Sequence, residues 1–122
     1  MLKPRVLVVE DDADTRSTLE ALLADQFEVG ESSSRDEALE LIQAGFLPSC
    51  ILMDYCMPGL SLDAFMQQAG IYNIDMLLLT AHPDGRQIAI KYGVRHLSKP
   101  VRPDELMAAI KNVTEKRAPA AL

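Results

Sequence analysis

The sequence predicts a single α/β domain in which a five-stranded parallel sheet is covered by helices on both faces. Three observations carry that prediction. Apolar residues switch repeatedly between short strand-like runs and stripes at helical spacing. Helix-start and helix-stop residues punctuate the segments, among them Ser34, Gly45, Gly93 and Pro103. The length, 122 residues, fits one domain with one buried core.

Arg5–Val9 is a short β-branched run and reads as a buried strand. A helix follows from Ala13 to about Asp25, with Leu19, Leu22 and Leu23 at the spacing of a core-facing stripe. Phe27–Glu31 is a weaker strand, placed nearer an edge. Ser34-Arg35-Asp36-Glu37 has the form of a capping box; it opens a helix that turns Ala38, Leu39 and Ile42 inward and stops at Gly45. Cys50–Met53 is a buried strand, Leu60–Ala69 a short helix and Met76–Thr80 another apolar strand. A helix over Asp84–Tyr92 ends at Gly93, and Val94–Leu97 is a brief strand. The last helix begins near Pro103, a residue suited to the first helical position. Asp104 and Glu105 in its first turn, with Lys116 and Arg117 near its end, complement the helix dipole, and Leu106, Ile110 and Val113 make its apolar stripe. Right-handed crossovers leave few ways to wind such strands, and the flavodoxin-like order 2-1-3-4-5 is the one expected. The domain is expected over 1–117, with 118–122 a flexible small-residue tail. No linker, repeat or output module is legible in the sequence.

Hydrophobic residues make up 48% and charged residues 25%, a globular rather than a disordered balance. No apolar run approaches the ~20 residues that cross a bilayer, and the opening apolar run is too short for a signal-peptide core. These features lead us to expect a cytoplasmic protein with no membrane partner. A net charge of −6 argues against direct nucleic-acid binding, which depends on neutralising phosphates. Cys50 and Cys56 lack partners at zinc spacing, so one reads as a small buried residue and the other as a loop thiol.

In a sheet of this kind, function gathers at the carboxyl ends of the strands, near the point where the strand order reverses. The first strand leads into Glu10-Asp11-Asp12, the third into Asp54, the fourth ends at Thr80, and the fifth leads to Lys99-Pro100. With strands one and three adjacent, Asp11, Asp12 and Asp54 are expected to converge. Like charges so close repel one another unless neutralised, and a hard divalent cation is the natural neutraliser. Magnesium takes oxygen ligands, keeps several waters and uses few carboxylates. Lys99 adds a mobile positive charge suited to an incoming phosphoryl oxygen, and the Thr80 hydroxyl can hydrogen-bond the same group. Each residue alone has a plainer reading as helix cap, turn residue, strand end or surface charge. Their arrival on one edge of one sheet favours the chemical reading.

Four segments carry a family resemblance: Val6-Leu7-Val8-Val9-Glu10-Asp11-Asp12, Ile51-Leu52-Met53-Asp54-Tyr55-Cys56-Met57-Pro58-Gly59, Leu78-Leu79-Thr80-Ala81 and Leu97-Ser98-Lys99-Pro100. In this order they resemble the receiver domains of two-component response regulators, over nearly the whole chain. The resemblance implies that Asp54 is the phosphate acceptor, attacking a phosphohistidine on a histidine kinase or histidine phosphotransferase. It implies magnesium held by Asp11 (through water), Asp12, Asp54 and the backbone carbonyl of Cys56. Lys99 would contact the phosphoryl group, its peptide bond to Pro100 would be cis, and Thr80 would turn toward the phosphate and report it to the opposite face. Cys56, Ala81 and His82 stand where relatives contact the phosphoryl group or tune its lifetime. The output would be a change in binding of a downstream target protein through the fourth-helix, fifth-strand, fifth-helix face; a homodimer is left open, on no assigned surface. Such a protein is a signalling switch rather than an enzyme.

The sequence departs from the family pattern in three places. Ser61-Leu62 replaces the usual Asp-Gly turn, so the third helix is expected to start differently. The intervals from Asp54 to Thr80 and from Thr80 to Lys99 are short, and Gly85 lies in the fourth helical window at a cost of ~1 kcal/mol, so that helix is expected to be short or irregular. His96 stands where relatives usually carry Tyr or Phe; there it is either a pH-sensitive part of the switch or a solvent-facing strand residue. Two other readings stand beside the main one. A phosphorylation-independent docking adaptor would ordinarily have lost an acid or the lysine. A magnesium-dependent phosphohydrolase of the haloacid-dehalogenase kind would place Asp-x-Asp after the first strand.

Overall fold

The structure, a computed structural model, describes residues 3–69 and 74–117. Five strands, β1 (Arg5–Val9), β2 (Glu28–Ser32), β3 (Cys50–Asp54), β4 (Asp75–Thr80) and β5 (Arg95–Ser98), alternate with five helices, α1 (Ala13–Leu23), α2 (Arg35–Gln43), α3 (Leu62–Ala69), α4 (Gly85–Tyr92) and α5 (Pro103–Arg117). All ladders are parallel and the order is β2-β1-β3-β4-β5, the flavodoxin-like winding that the sequence predicts. The tail expected over 118–122, and the side chains of Lys116 and Arg117, lie outside the described residues. No described helix is long and apolar enough to cross a membrane.

Strand alternation sorts the core into two layers, because successive side chains point to opposite faces. Val6, Val8, Leu52, Leu77 and Leu79 meet Leu19 and Leu23 of α1 and Leu106, Ile110 and Val113 of α5. Leu7, Val9, Ile51, Met53 and Leu78 meet Ala38, Leu39 and Ile42 of α2 and Leu62 and Phe65 of α3. The central strands are covered on both faces, which is why they read as unbroken apolar runs. Burying one such side chain fully is worth about 1.5–3 kcal/mol, so the sheet is rigid where these layers meet it.

The differences from expectation are local and have causes. α1 ends at Leu23 rather than near Asp25, and Leu22 stays outside the core at 38% exposure, because Leu19 and Leu23, four apart, already present one face to the sheet. α3 begins two residues late. The Ser61 hydroxyl accepts a hydrogen bond from the Ala64 N–H at 3.1 Å, so Ser61 caps the helix and Leu60 is left in the loop. α4 has eight residues, as short as expected; Asp84 precedes it without a side-chain cap bond, and Gly93 ends it with φ 65°. Gly85, its first residue, has a packing reason. A Cβ there would lie 2.7 Å from Cγ2 of Thr80.

Candidate functional site

The loops that leave β1, β3 and β5 each continue the ladder by one hydrogen bond. Glu10 N–H donates to Ser32 O at 3.1 Å, Tyr55 N–H to Leu79 O at 2.9 Å, and Lys99 N–H to Thr80 O at 2.9 Å. The first residues past the sheet are therefore held nearly as firmly as the strands, and the site is built on them.

Carboxylate oxygens of Glu10, Asp11 and Asp54 lie within 4.8 Å of one another. Asp54 ends β3 and is buried, while Lys99 reaches across from the end of β5 to place Nζ 3.2 Å from Asp54 Oδ1. The Cys56 N–H approaches the same oxygen at 3.4 Å. Glu10 is only 3% exposed, and its Oε2 has no hydrogen-bond partner among the described residues. Burial first, and then repulsion by Asp54, push its carboxyl from the ordinary 4.5 up to about 7, against the pull of Lys99. A buried, unpartnered carboxylate oxygen beside two more carboxylates is a donor set that fits a hard divalent cation.

Asp12 does not join this group, which corrects the expected trio of Asp11, Asp12 and Asp54. It sits at the N-cap of α1, where its Oδ2 accepts from the Thr15 N–H at 2.9 Å and the Thr15 hydroxyl at 2.6 Å. Those bonds hold its carboxyl below the usual carboxylate range. The third converging acid is Glu10, two residues earlier. Asp12-Ala13-Asp14-Thr15 is itself a helix-start pattern, so the signal that separates the two acids is present in the sequence.

Thr80 is buried at the end of β4, and its Oγ1 accepts from the His82 N–H at 2.9 Å. The His82 ring turns away: Nδ1 accepts from the Asp84 N–H at 3.0 Å, and the ring stands edge-on to Tyr55 with centroids 6.0 Å apart. Ala81 is exposed, Cys56 is an exposed free thiol and Cys50 a buried one. His96 is half-buried on β5, near the start of α4 at Gly85. The Lys99–Pro100 peptide bond is cis.

The family model of the response regulator receiver domain matches residues 6–111 of this chain. The chain belongs to the response-regulator receiver family. This receiver is 30% identical to a two-component response regulator of Arabidopsis thaliana, over 93% of the chain but 31% of that protein. It is 34% identical to hybrid signal transduction histidine kinase D of Dictyostelium discoideum, over 95% of the chain and 8% of that protein. The receiver thus spans a minor part of each of these curated relatives. A solved response regulator receiver domain protein from Clostridium thermocellum superposes with a TM-score of 0.82 at 27% identity, covering 93% of this chain and 96% of that one.

One residue of the receiver site was not foreseen. Arg35, the first residue of α2, is 3% exposed and turns its guanidinium under the β3–α3 loop. Nη2 donates to Tyr55 O at 2.7 Å and approaches Asp54 O at 3.5 Å, Nη1 donates to Leu60 O at 3.1 Å, and Nε faces the Met53 sulfur at 3.2 Å. From the sequence it reads only as the second residue of a capping box. The box itself is partly formed, with Ser34 Oγ accepting from the Glu37 N–H at 3.0 Å.

Proposed function

We propose that this receiver is a phosphoryl-accepting switch: Asp54 takes a phosphoryl group from a phosphohistidine of a histidine kinase or histidine phosphotransferase. The observation that carries the reading is the Lys99 ammonium 3.2 Å from a buried Asp54 carboxylate, beside the Glu10–Asp11 pair. An Asp54 oxygen attacks phosphorus, the phosphorus–nitrogen bond breaks, and its electron pair stays with the departing imidazole. Such a transfer asks chiefly for in-line positioning and charge neutralisation. Lys99 meets the phosphoryl oxygens as charge builds on them, leaving its present contact with Asp54.

Magnesium, held by Glu10, Asp11, Asp54 and the carbonyl of Cys56, would neutralise the carboxylates and polarise the phosphoryl group. The Thr80 oxygen now accepts from His82, which leaves its hydroxyl proton available to a phosphoryl oxygen. Turning to that group strains the tie to His82 and moves the β4–α4 loop. Gly85, which lies against both Thr80 and His96, passes the change to α4 and β5, where a downstream target would dock. The reading implies a cytoplasmic location with the kinase.

The test is modification by a small acyl-phosphate donor with magnesium, followed by intact mass, with Asp54→Ala and chelator as controls. A gain of one phosphoryl group, lost in both controls, is the expected outcome. No gain in the presence of measurable magnesium binding would overturn acceptor chemistry at Asp54.

A further inference from the structure

We propose that Arg35 is a positioning residue for phosphoryl transfer, stapling the loop that follows the acceptor so that Asp54 and the Cys56 backbone face the incoming group. The inference rests on the acceptor reading of Asp54. Residues 55–61 form no helix or strand, yet the Cys56 backbone must stand in a fixed relation to the Asp54 side chain at the end of β3. Arg35 grips both ends of this loop, Tyr55 O at 2.7 Å and Leu60 O at 3.1 Å, with Asp54 O at the edge of reach. A planar fork can span acceptors on two separated peptide units; a single ammonium cannot hold the same set. The base of the fork is also fixed. Ser34 caps α2 through the Glu37 N–H, and the guanidinium is sealed against Met53 of the buried strand β3.

A cation beneath a carboxylate cluster has a simpler role available, that of a counter-charge. The two roles differ in sign. Removing a counter-charge leaves the acids more negative and tightens magnesium binding. Removing a staple lets the loop drift and weakens it, as loss of an outer-sphere partner of a metal site does by 10- to 100-fold. Arg35→Met keeps much of the apolar stem and removes fork and charge; Arg35→Lys keeps the charge and removes the fork.

The full chain is titrated with magnesium chloride by calorimetry and modified with the acyl-phosphate donor. Urea denaturation of each variant establishes the folded fraction. Expected for folded Arg35→Met is roughly tenfold weaker magnesium binding and roughly tenfold slower modification. Arg35→Lys is expected to show the same direction without full rescue. Magnesium binding as tight as wild type or tighter in Arg35→Met, or wild-type values in Arg35→Lys, would overturn the staple. If Arg35→Met does not fold, Arg35→Lys decides between the same outcomes. Wild-type protein that neither binds magnesium nor gains a phosphoryl group overturns the acceptor reading itself, and the inference with it.

Discussion

Asp11 and Asp12 are neighbours in the chain with unlike surroundings. One faces two other carboxylates and the other caps a helix. Asp12→Ala is therefore expected to lower the urea midpoint while leaving magnesium affinity in place, and Asp11→Ala to weaken magnesium binding with little cost in stability. Urea denaturation and calorimetry on both variants check this; a loss of magnesium binding in Asp12→Ala would return that acid to the site. The sequence makes the acidic edge plain but not its register, because the type of residue is visible whereas the turn that aims it is not. Glu10 adds a pH dependence. Its folded value, about 7, exceeds its ordinary 4.5, so its protonated form favours the metal-free fold. That contribution is complete below about 4.5 and is lost as pH rises through about 7. In chelator, wild-type stability should carry a downward component between those values that Glu10→Gln lacks, read by urea denaturation across the range. An identical slope in the two proteins would contradict the shift. Magnesium needs the ionised carboxylate, so its affinity should rise over the same interval.

At the scale of elements, the short α4 and its glycine form one feature. Replacing Gly85 by Ala gains about 1 kcal/mol of helix propensity. The added methyl would meet Thr80 Cγ2 at 2.7 Å, and forcing an extra methyl into a packed site costs about 1–3 kcal/mol. Gly85→Ala is expected to lower stability on balance, measured by urea denaturation; a gain instead would mean that α4 shifts freely over Thr80. Periodicity identifies the elements well here, since the apolar runs of β1, β3 and β4 and the stripes of α2 and α5 follow directly from burial. It fails where elements meet. Ser61 takes over the cap of α3, and Arg35 turns inward, because the start of α2 lies against the β3–α3 loop. Neither fact has a period to reveal it.

For the molecule as a whole, the strand order follows from handedness and alternation, which is why the sheet and its acidic edge are legible in the sequence. Eight of the 12 Lys and Arg residues lie beyond position 82, against four of the 18 Asp and Glu, so a chain of net charge −6 carries a basic final third. That third brings Lys99 to the acids from a different part of the sheet. β1 and β3, which deliver the acids, are central and almost wholly buried, whereas β5 is a four-residue edge strand whose side chains are exposed or half-exposed. Proteins open in pieces, and edges open more often than centres. Native-state hydrogen exchange should find the amides of β5 trading deuterium well before those of β1 and β3; uniform protection would contradict this. In the partly opened form, the acids remain gathered while the lysine is withdrawn. The two halves of the site then have different lifetimes, and on the acceptor reading proposed above a cation would lodge in one that cannot yet accept a phosphoryl group.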